Sequence, residues 1–461
     1  MIKILIITIE GGFNMDLLEQ IYKAGVVGAG GAGFPAHIKL KCKVEYLLVN
    51  AAECEPLIQT DKYIMRHNAE EIIKALKYMA PLVGADKVII AIKGKYEKEI
   101  DSLKKAIQKF NSEVELFYLK GIYPAGDEQV IVYEVTGRVI PPAGIPLNVG
   151  AVVSNVATIL NIYDATKGNS VTDKIVTVTG EVENPSMLSV PIGTPVSKCI
   201  ESAGGLKLKN YCVIMGGPMM GKVLSSDEVK KRSITKTDGA IIVLPIDHYI
   251  KAKKSISVKH IINQTKSSCI QCSYCTQMCP RYLLGHPLRP HKIMRAISMS
   301  IDHTEEVFKE ALLCSECGIC EMYACPMGIS PRQVNIMIKS ELRQKGIKFK
   351  NDEKITANED REGRQIPVSR LVQRLNLSKY SGIKFEDKAT VVATSKVYIP
   401  LKQHIGKPAI AVVSVGDEVT KGQLIGEVQL LDMGANIHAS INGKITNVSE
   451  HIVIESSEVI L

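Results

Sequence analysis

Two runs of closely spaced cysteines constrain this chain more than any other feature of its 461 residues. Each run sets three cysteines at steps of three residues and ends in a fourth cysteine that precedes a proline. The runs are Cys269-x2-Cys272-x2-Cys275-x3-Cys279-Pro280 and Cys314-x2-Cys317-x2-Cys320-x4-Cys325-Pro326. Three thiolates on one tight loop hold three corners of a cubane, and the fourth ligand comes from elsewhere. The spacing therefore predicts two [4Fe–4S] clusters and the transfer of single electrons.

The fourth ligand of each cluster is predicted to come from the opposite run, as in two-cluster ferredoxins, where it lies just before a proline. The two predicted ligand sets are Cys269, Cys272, Cys275 and Cys325 for one cluster, and Cys314, Cys317, Cys320 and Cys279 for the other. Zinc sites usually need only two CxxC pairs, so a third cysteine at the same step is hard to explain by zinc. Disulfides require an oxidising compartment, and the sequence shows no secretory signal.

The remaining cysteines have no mutual spacing and are expected to be buried, reduced thiols; they are Cys42, Cys54, Cys199 and Cys212. The opening MIKILIITIE is too short to span a bilayer, and no other segment reaches roughly 18 uninterrupted apolar residues, so no integral membrane protein is expected. The net charge of +9 comes from dispersed lysines, and tryptophan is absent, which disfavours a nucleic-acid surface. An anionic small molecule or an acidic partner is compatible with this charge.

The order of helical and strand patterns predicts a multidomain α/β protein. Residues 15–170 alternate helices and strands, which indicates an α/β domain with a largely parallel sheet. Residues 171–250 contain short strands around one helix, and residues 255–342 carry the cysteine runs between helices. Residues 343–396 are polar and charged, which is typical of a linker. Residues 397–461 show short strands with glycine turns and are predicted to form a small β-sandwich.

A glycine-rich loop, Val27-Gly28-Ala29-Gly30-Gly31-Ala32-Gly33-Phe34-Pro35, follows the first predicted helix. Glycines let the backbone approach a ligand closely, and successive N–H groups in such a turn form an anion nest. The loop is not a Rossmann fingerprint, because no strand leads into it, and it lacks the ending of a P-loop. Three further polar segments, 50–56, 123–128 and 154–158, follow it; the first ends a buried strand, where open α/β sheets bind ligands.

This four-part set resembles the flavin-binding subunit of respiratory complex I and the related RnfC protein of the Rnf complex. The resemblance implies bound FMN, and the phosphate is expected near Gly30, Gly31, Lys39, Asn155 and Thr158. The isoalloxazine ring is expected near Asn50, Glu53, Gly126, Asp127 and Glu128, and the other predicted members of the site are Gly28, Gly33 and Tyr123. Phe34, Glu55 and Glu128 are expected on the nicotinamide side, which implies NADH as the hydride donor. The chain has Ala29 where the complex I proteins have an arginine.

The other modules narrow the resemblance. The segment 181–205 resembles the soluble-ligand-binding β-grasp module of the same superfamily, and the C-terminal segment resembles the RnfC barrel-sandwich. That sandwich precedes the flavin domain in RnfC but follows the cysteine runs here. The order flavin domain, β-grasp, two-cluster ferredoxin-like helical domain and barrel-sandwich is similar to that of the cobalamin reductases of propanediol-utilisation microcompartments.

That resemblance implies an NADH-dependent reductase that passes electrons through FMN and the two clusters to a corrinoid. It further implies a cytoplasmic location inside a bacterial microcompartment, with an adenosyltransferase and a shell protein as partners. The alternatives are an Rnf-like or proline-reductase-associated protein with a different acceptor, and a non-catalytic scaffold. No side chain is predicted as a catalytic acid or base. Packing is favoured over cobalt ligation for five histidines, namely His37, His286, His291, His404 and His438.

Overall fold

The computed structural model describes residues 16–299, 305–350 and 354–457. Met1–Asn14 precede the part of the sequence that carries the family resemblance, and they lie outside these ranges. The first domain has a parallel sheet with strand order β3-β2-β1-β5. Its strands are β1 (Tyr46–Ala51), β2 (Lys87–Lys93), β3 (Glu115–Leu119), β4 (Ile122–Tyr123) and β5 (Ala151–Asn155). The helices are α1 (Leu17–Lys23), α2 (Ala36–Lys39), α3 (Thr60–His67), α4 (Ala69–Val83), α5 (Glu97–Lys109), α6 (Glu128–Thr136) and α7 (Val156–Thr166).

The sequence explains these elements. In β1, Leu47, Leu48 and Val49 are fully buried, because helices cover both faces of a parallel sheet. In α4 the apolar residues recur at helical spacing, and the helix ends at Gly84 in the left-handed conformation. The Asn155 side chain caps α7 by accepting a hydrogen bond from the Ala157 N–H. The predicted α/β domain with a parallel sheet is confirmed.

A six-stranded sheet forms the second module, with strand order β12-β7-β6-β10-β8-β9. Its strands are β6 (Asp173–Gly180), β7 (Ser186–Pro191), β8 (Tyr211–Met215), β9 (Lys222–Leu224), β10 (Ala240–Pro245) and, from later in the chain, β12 (Thr390–Val391). Two helices, α8 (Val196–Ser202) and α9 (Ser226–Lys231), belong to the same stretch of chain.

The cysteine runs lie among short helices. These are α10 (Tyr249–Lys254), α11 (Val258–Ser268), α12 (Tyr274–Gln277), α13 (Pro280–Leu283), α14 (Pro290–Met299), α15 (Glu305–Lys309) and α16 (Pro331–Gln344), with a 3₁₀ turn at Glu310–Leu313 and a π-helical turn at Cys320–Ala324. An apolar core that includes Ile261, Ile293 and Val334 joins the longer helices. The core therefore holds the two cysteine loops against each other.

The segment after α16 differs from the predicted linker. It forms α17 (Arg361–Arg364), β11 (Ile366–Pro367) and α18 (Val368–Arg374), and β11 pairs with β4 of the first domain. Leu371, Leu375 and Leu377 are fully buried. The charged composition of the preceding residues concealed these few apolar positions, which pack across the second module and the cysteine loops.

The C-terminal region contains two small antiparallel sheets, with strand orders β13-β19-β18-β15 and β14-β16-β17. Their strands are β13 (Lys396–Pro400), β14 (Ile410–Ala411), β15 (Glu418–Val419), β16 (Leu424–Glu427), β17 (Ile437–His438), β18 (Gly443–Val448) and β19 (His451–Glu455). The predicted barrel-sandwich is confirmed. Within the described ranges, no helix has both the length and the apolar character needed to cross a membrane.

Candidate cofactor sites

The glycine loop and the β5–α7 junction meet at the carboxyl edge of the parallel sheet. Asn50 of β1 and Asn155 of β5 lie opposite each other in register at this edge. The Ala29 N–H donates to Thr158 Oγ1 over 2.9 Å. A Cβ added to Gly30 would lie 3.5 Å from the Asn155 side chain. Two of the four predicted segments therefore meet where the strands end.

The other two segments reach the same edge. Asn50 Nδ2 donates to the Gly126 carbonyl over 2.8 Å, and a Cβ on Gly126 would lie 3.1 Å from the Cys54 sulfur. Lys39 forms an ion pair with Glu128. The four segments, which together span more than a hundred residues of the sequence, thus converge on one place.

The glycine loop has the properties that a phosphate group requires. Gly31 has a φ of +117°, and a Cβ added there would meet no heavy atom within 4 Å, so the backbone borders open space. Gly28 closes the loop through its N–H, which donates to the Phe34 carbonyl over 2.8 Å. Bare backbone beside open space fits the phosphate of FMN. Gly33 instead packs against Thr237 and His404, and Phe34 is half-buried.

Charged side chains lie behind this edge, and the sequence motifs did not indicate most of them. The Asp61 N–H donates to Glu53 Oε2, and Asn155 Nδ2 donates to Asp61 Oδ2 over 2.7 Å. Burial and the Asp61 carboxylate raise the pKa of Glu53 to about 8. Burial also lowers the pKa of Lys93 to about 8. A lysine at the end of the apolar strand KVIIAIK was the signal that could have identified Lys93.

Glu55 has a partner that the sequence did not suggest. Its carboxylate accepts the backbone N–H groups of Met219 and Met220 at 2.9 and 2.8 Å. A Cβ on Gly217 would come within 2.1 Å of the same carboxyl carbon. Glu55 therefore attaches the flavin-type domain to the loop between β8 and β9.

The eight cysteines of the two runs line two separate cavities. One cavity is lined by Cys279, Cys314, Cys317 and Cys320, and the other by Cys269, Cys272, Cys275 and Cys325. Each cavity thus combines three cysteines of one run with the Cys-Pro cysteine of the other. We name them the inner and the outer cavity, because three of the four inner cysteines are buried and all four outer ones are partly exposed.

The two cysteine loops adopt the same backbone conformation. Gln271 and Ser273 in the first loop, and Glu316 and Gly318 at the matching positions of the second, all have φ between +55° and +83°. Three of these four residues are not glycine, so the conformation is imposed by the fold. The Glu316 N–H points at the Cys314 sulfur over 3.4 Å. Backbone N–H groups directed at sulfur are typical of iron–sulfur ligation.

The donor set fits an iron–sulfur cluster better than a single metal ion. Among the described residues, no three His, Cys, Asp or Glu side chains are close enough together to hold one ion. Four thiols around a larger space suit a cubane. Burial raises the pKa of Cys279 and of Cys317 to about 12, so both thiols would stay protonated without a bound cation.

Two contacts join the inner cavity to the segment 123–128, one of the four segments that converge at the sheet edge and that we call the flavin-type segments. The Tyr123 hydroxyl donates to the Cys317 carbonyl over 2.7 Å. Arg281, two residues after Cys279, forms an ion pair with Asp127 at 2.6 Å, and both side chains are nearly buried. The predicted site residues Tyr123 and Asp127 therefore face the inner cysteine loops directly.

The five histidines for which the sequence favours packing are buried or half-buried. His291 is hydrogen-bonded to the Thr276 hydroxyl over 2.7 Å, and His404 Nε2 lies 2.8 Å from the Lys407 carbonyl. Neither ring nitrogen of His286 has a hydrogen-bond partner among the described residues. Their packing role stays a prediction.

Four family profiles match the chain. They are the Nuo51 FMN-binding domain over residues 21–164, the SLBB domain over 175–223, a 4Fe-4S dicluster domain over 268–330 and the RnfC barrel sandwich hybrid domain over 384–460. The predicted flavin-type and dicluster domains, and with them the cofactor classes FMN and [4Fe–4S], are confirmed.

Whole-chain relatives add to this. The chain is 40% identical over 441 residues to cobalamin reductase PduS of Salmonella typhimurium, covering 95% of this chain and 96% of the relative. The protein of the same name from Citrobacter freundii is 40% identical over 442 residues, with 94% and 95% covered. The C component of the proton-translocating ferredoxin:NAD(+) oxidoreductase complex of Clostridium ljungdahlii is 33% identical, over 58% of this chain and 56% of the relative.

Proposed function

Because this chain belongs to the cobalamin reductase PduS family, we propose that it reduces a corrinoid, taking cob(III)alamin to cob(II)alamin and cob(I)alamin. The observation that carries the proposal is the pair of crossed cysteine cavities, one of them joined to the flavin-type segments. When bound, FMN accepts a hydride and releases electrons one at a time, and [4Fe–4S] clusters carry single electrons. The acceptor follows from the family, since both full-length relatives carry the name cobalamin reductase.

The residues proposed to hold FMN fall into two groups. Gly30, Gly31, Lys39, Asn155 and Thr158 hold the phosphate, and Asn50, Glu53, Gly126, Asp127 and Glu128 surround the ring, with Gly28, Gly33 and Tyr123 supporting them. The open space beside the backbone of Gly31 supports the phosphate assignment. The raised pKa of Glu53 keeps its carboxyl protonated at neutral pH, so that it can donate a hydrogen bond.

The cluster ligands are proposed as the two crossed sets. Cys279, Cys314, Cys317 and Cys320 bind the inner cluster, and Cys269, Cys272, Cys275 and Cys325 bind the outer one. The Tyr123–Cys317 hydrogen bond and the Arg281–Asp127 ion pair support the inner cluster as the one next to the flavin. The outer cluster is then the exit, since its cysteines are the more exposed set.

NADH is proposed as the hydride donor. The name of the Clostridium ljungdahlii relative, a component of a ferredoxin:NAD(+) oxidoreductase complex, supports a nicotinamide nucleotide as a redox partner. Phe34 and Glu128 are proposed to lie on the nicotinamide side. Glu55 is proposed to act there by positioning the loop that contains Met219 and Met220, whose N–H groups its carboxylate accepts. An adenosyltransferase and a microcompartment shell protein are the proposed partners, and the interior of a microcompartment is the proposed location; both follow from the family alone.

The proposal is tested by trapping cob(I)alamin. Anaerobic protein, NADH and cob(II)alamin are mixed with an adenosyltransferase and ATP, which donates the adenosyl group and releases its triphosphate, and adenosylcobalamin is measured. Free reduced flavin can reduce cob(III)alamin, so the second reduction is the informative one. We expect Cys317→Ala to lose this product while NADH still bleaches the flavin. The matched control is Cys212→Ala, which removes a buried thiol outside both cavities.

Two outcomes would contradict the proposal. Equal product from wild type and Cys317→Ala would mean that the clusters do not serve corrinoid reduction. Flavin bleaching without adenosylcobalamin in either protein would favour an Rnf-like protein with another acceptor.

A further inference from the structure

The outer cavity is the part of the cysteine region that meets the surface. Its four cysteines are all partly exposed, whereas Cys279, Cys317 and Cys320 of the inner cavity are at most 9% exposed. An electron leaving through the proposed relay therefore leaves on the outer side. Single-electron transfer requires the acceptor to approach this side closely.

Apolar side chains surround the outer cavity and face solvent. Ile270 is 62% exposed, Tyr274 43% and Met327 40%, and Ile270 and Met327 line the cavity itself. Isolated exposed apolar residues are common, but a group at the rim of a cofactor site is typical of an interaction surface.

The same face is strongly basic. Residues 255–300 contain no Asp or Glu, and four of their six Lys and Arg residues form no ion pair within the described residues, whereas Arg281 and Arg289 pair with Asp127 and Glu310. Lys266 lies three residues before Cys269, and Lys292 and Arg295 lie on α14 just after His291, which lines the outer cavity. All three are exposed, and none pairs with a carboxylate of the described residues. The acidic residues of the neighbouring α15, Glu305 and Glu306, are already paired with Lys309.

We propose that this face, with Ile270, Tyr274 and Met327 at its centre and Lys266, Lys292 and Arg295 around them, docks a protein with an acidic surface that carries the acceptor of electrons from the outer cluster. The inference rests on the proposed function, because it needs an acceptor at the exit of the relay. An apolar centre inside a charged rim is the common anatomy of a transient protein interface. A second copy of this chain is the wrong occupant electrostatically, because it would bring the same positive charge.

The experiment uses one electron carrier in two charge forms. Native cytochrome c is basic, and succinylated cytochrome c has the same haem but is acidic. Binding of each to the anaerobically purified holoprotein, with both proteins oxidised, is measured by thermophoresis at about 20 mM and about 500 mM salt, where screening differs strongly. Reduction of the haem, by one electron per ferric ion, is then followed after NADH addition.

We expect the acidic form to bind at least about tenfold more tightly than the basic form at low salt, and the preference to vanish at high salt. The variant Lys266→Glu/Lys292→Glu/Arg295→Glu should lose the preference. The control Lys207→Glu/Lys209→Glu/Lys231→Glu makes the same charge change at exposed positions of the second module and should keep it. Tyr274→Ser, with unchanged iron content, should weaken binding severalfold.

The proposal is overturned if the acidic and the basic cytochrome c bind equally. It is also overturned if the variant Lys266→Glu/Lys292→Glu/Arg295→Glu still binds the acidic form more tightly. The same holds if this charge reversal abolishes self-association in sedimentation or the binding of free cobalamin, since the face would then serve a second copy or a small molecule. Because binding of oxidised proteins needs no electron, a failure of the proposed function would appear separately, as unreduced flavin or corrinoid with docking unchanged.

Discussion

The two cofactor regions of this molecule are built in opposite ways. Each cysteine cavity takes three of its four thiols from seven consecutive residues. Both cysteine loops have positive φ angles at matching positions. The flavin-type region collects four segments from more than a hundred residues, and hydrogen bonds such as Asn50 to Gly126 join them. A local pattern is therefore readable from spacing, whereas a convergent site depends on the sheet that brings its parts together.

The largest expected effect shows whether the fourth ligand of each cluster comes from the opposite cysteine run or from the same run. We expect Cys279→Ala to damage the cluster of Cys314, Cys317 and Cys320, reducing iron from about eight to about four per chain. Electron paramagnetic resonance of the reduced protein should then give the same spectrum for Cys279→Ala as for Cys317→Ala. A spectrum that instead matches Cys272→Ala would show that each run binds its own cluster.

The next effect concerns the convergent region alone. Gly31→Leu should abolish FMN binding and leave both clusters, because the side chain would fill the open space beside the loop. Gly205→Leu is the matched control, since Gly205 also has a positive φ of +89° and open space around it. Both substitutions carry a similar backbone strain of roughly 1–2 kcal/mol. Full flavin occupancy in Gly31→Leu would mean that the loop is a structural turn.

Features that depend on local spacing could be predicted from the sequence, whereas contacts between distant segments could not. The cysteine spacing placed Cys279 and Cys325 in the opposite loops, and the structure brings them there. The alternation of helical and strand patterns predicted the parallel sheet, because strands buried on both faces show near-continuous apolar runs. What could not be predicted is contact across segments: Glu55 with Met219, the packing of Leu371, and Arg281 with Asp127. No local periodicity encodes such pairs.

The Arg281–Asp127 ion pair, which joins the two regions, should contribute measurably to the free energy of unfolding. Asp127→Asn keeps an oxygen for capping α6 but leaves the buried Arg281 charge unpaired. Removing one partner of a buried pair costs about 3–5 kcal/mol. We expect a lower unfolding temperature of the holoprotein, measured by calorimetry with iron content as a check. Glu201→Gln, which breaks the exposed Lys198–Glu201 pair, should change it little. Equal effects would mean that the junction is not a stabilising contact.

The smallest expected effect tests the buried charges behind the sheet edge. The pKa of Glu53 is raised from 4.5 to about 8 by burial and by Asp61, so the native state keeps this proton after the unfolded chain has released it. Stability is therefore lost as pH rises from about 4.5 to 8. Glu53→Gln cannot ionise and still offers an oxygen to the Asp61 N–H, so it should avoid this loss. We expect the variant to match wild type near pH 5 and to unfold a few degrees higher near pH 8.5, measured by thermal unfolding of the flavin-free protein, since a 1 kcal/mol change shifts a large domain by about 2–4 °C. A constant difference across this pH range would show that Glu53 does not hold its proton in the folded protein.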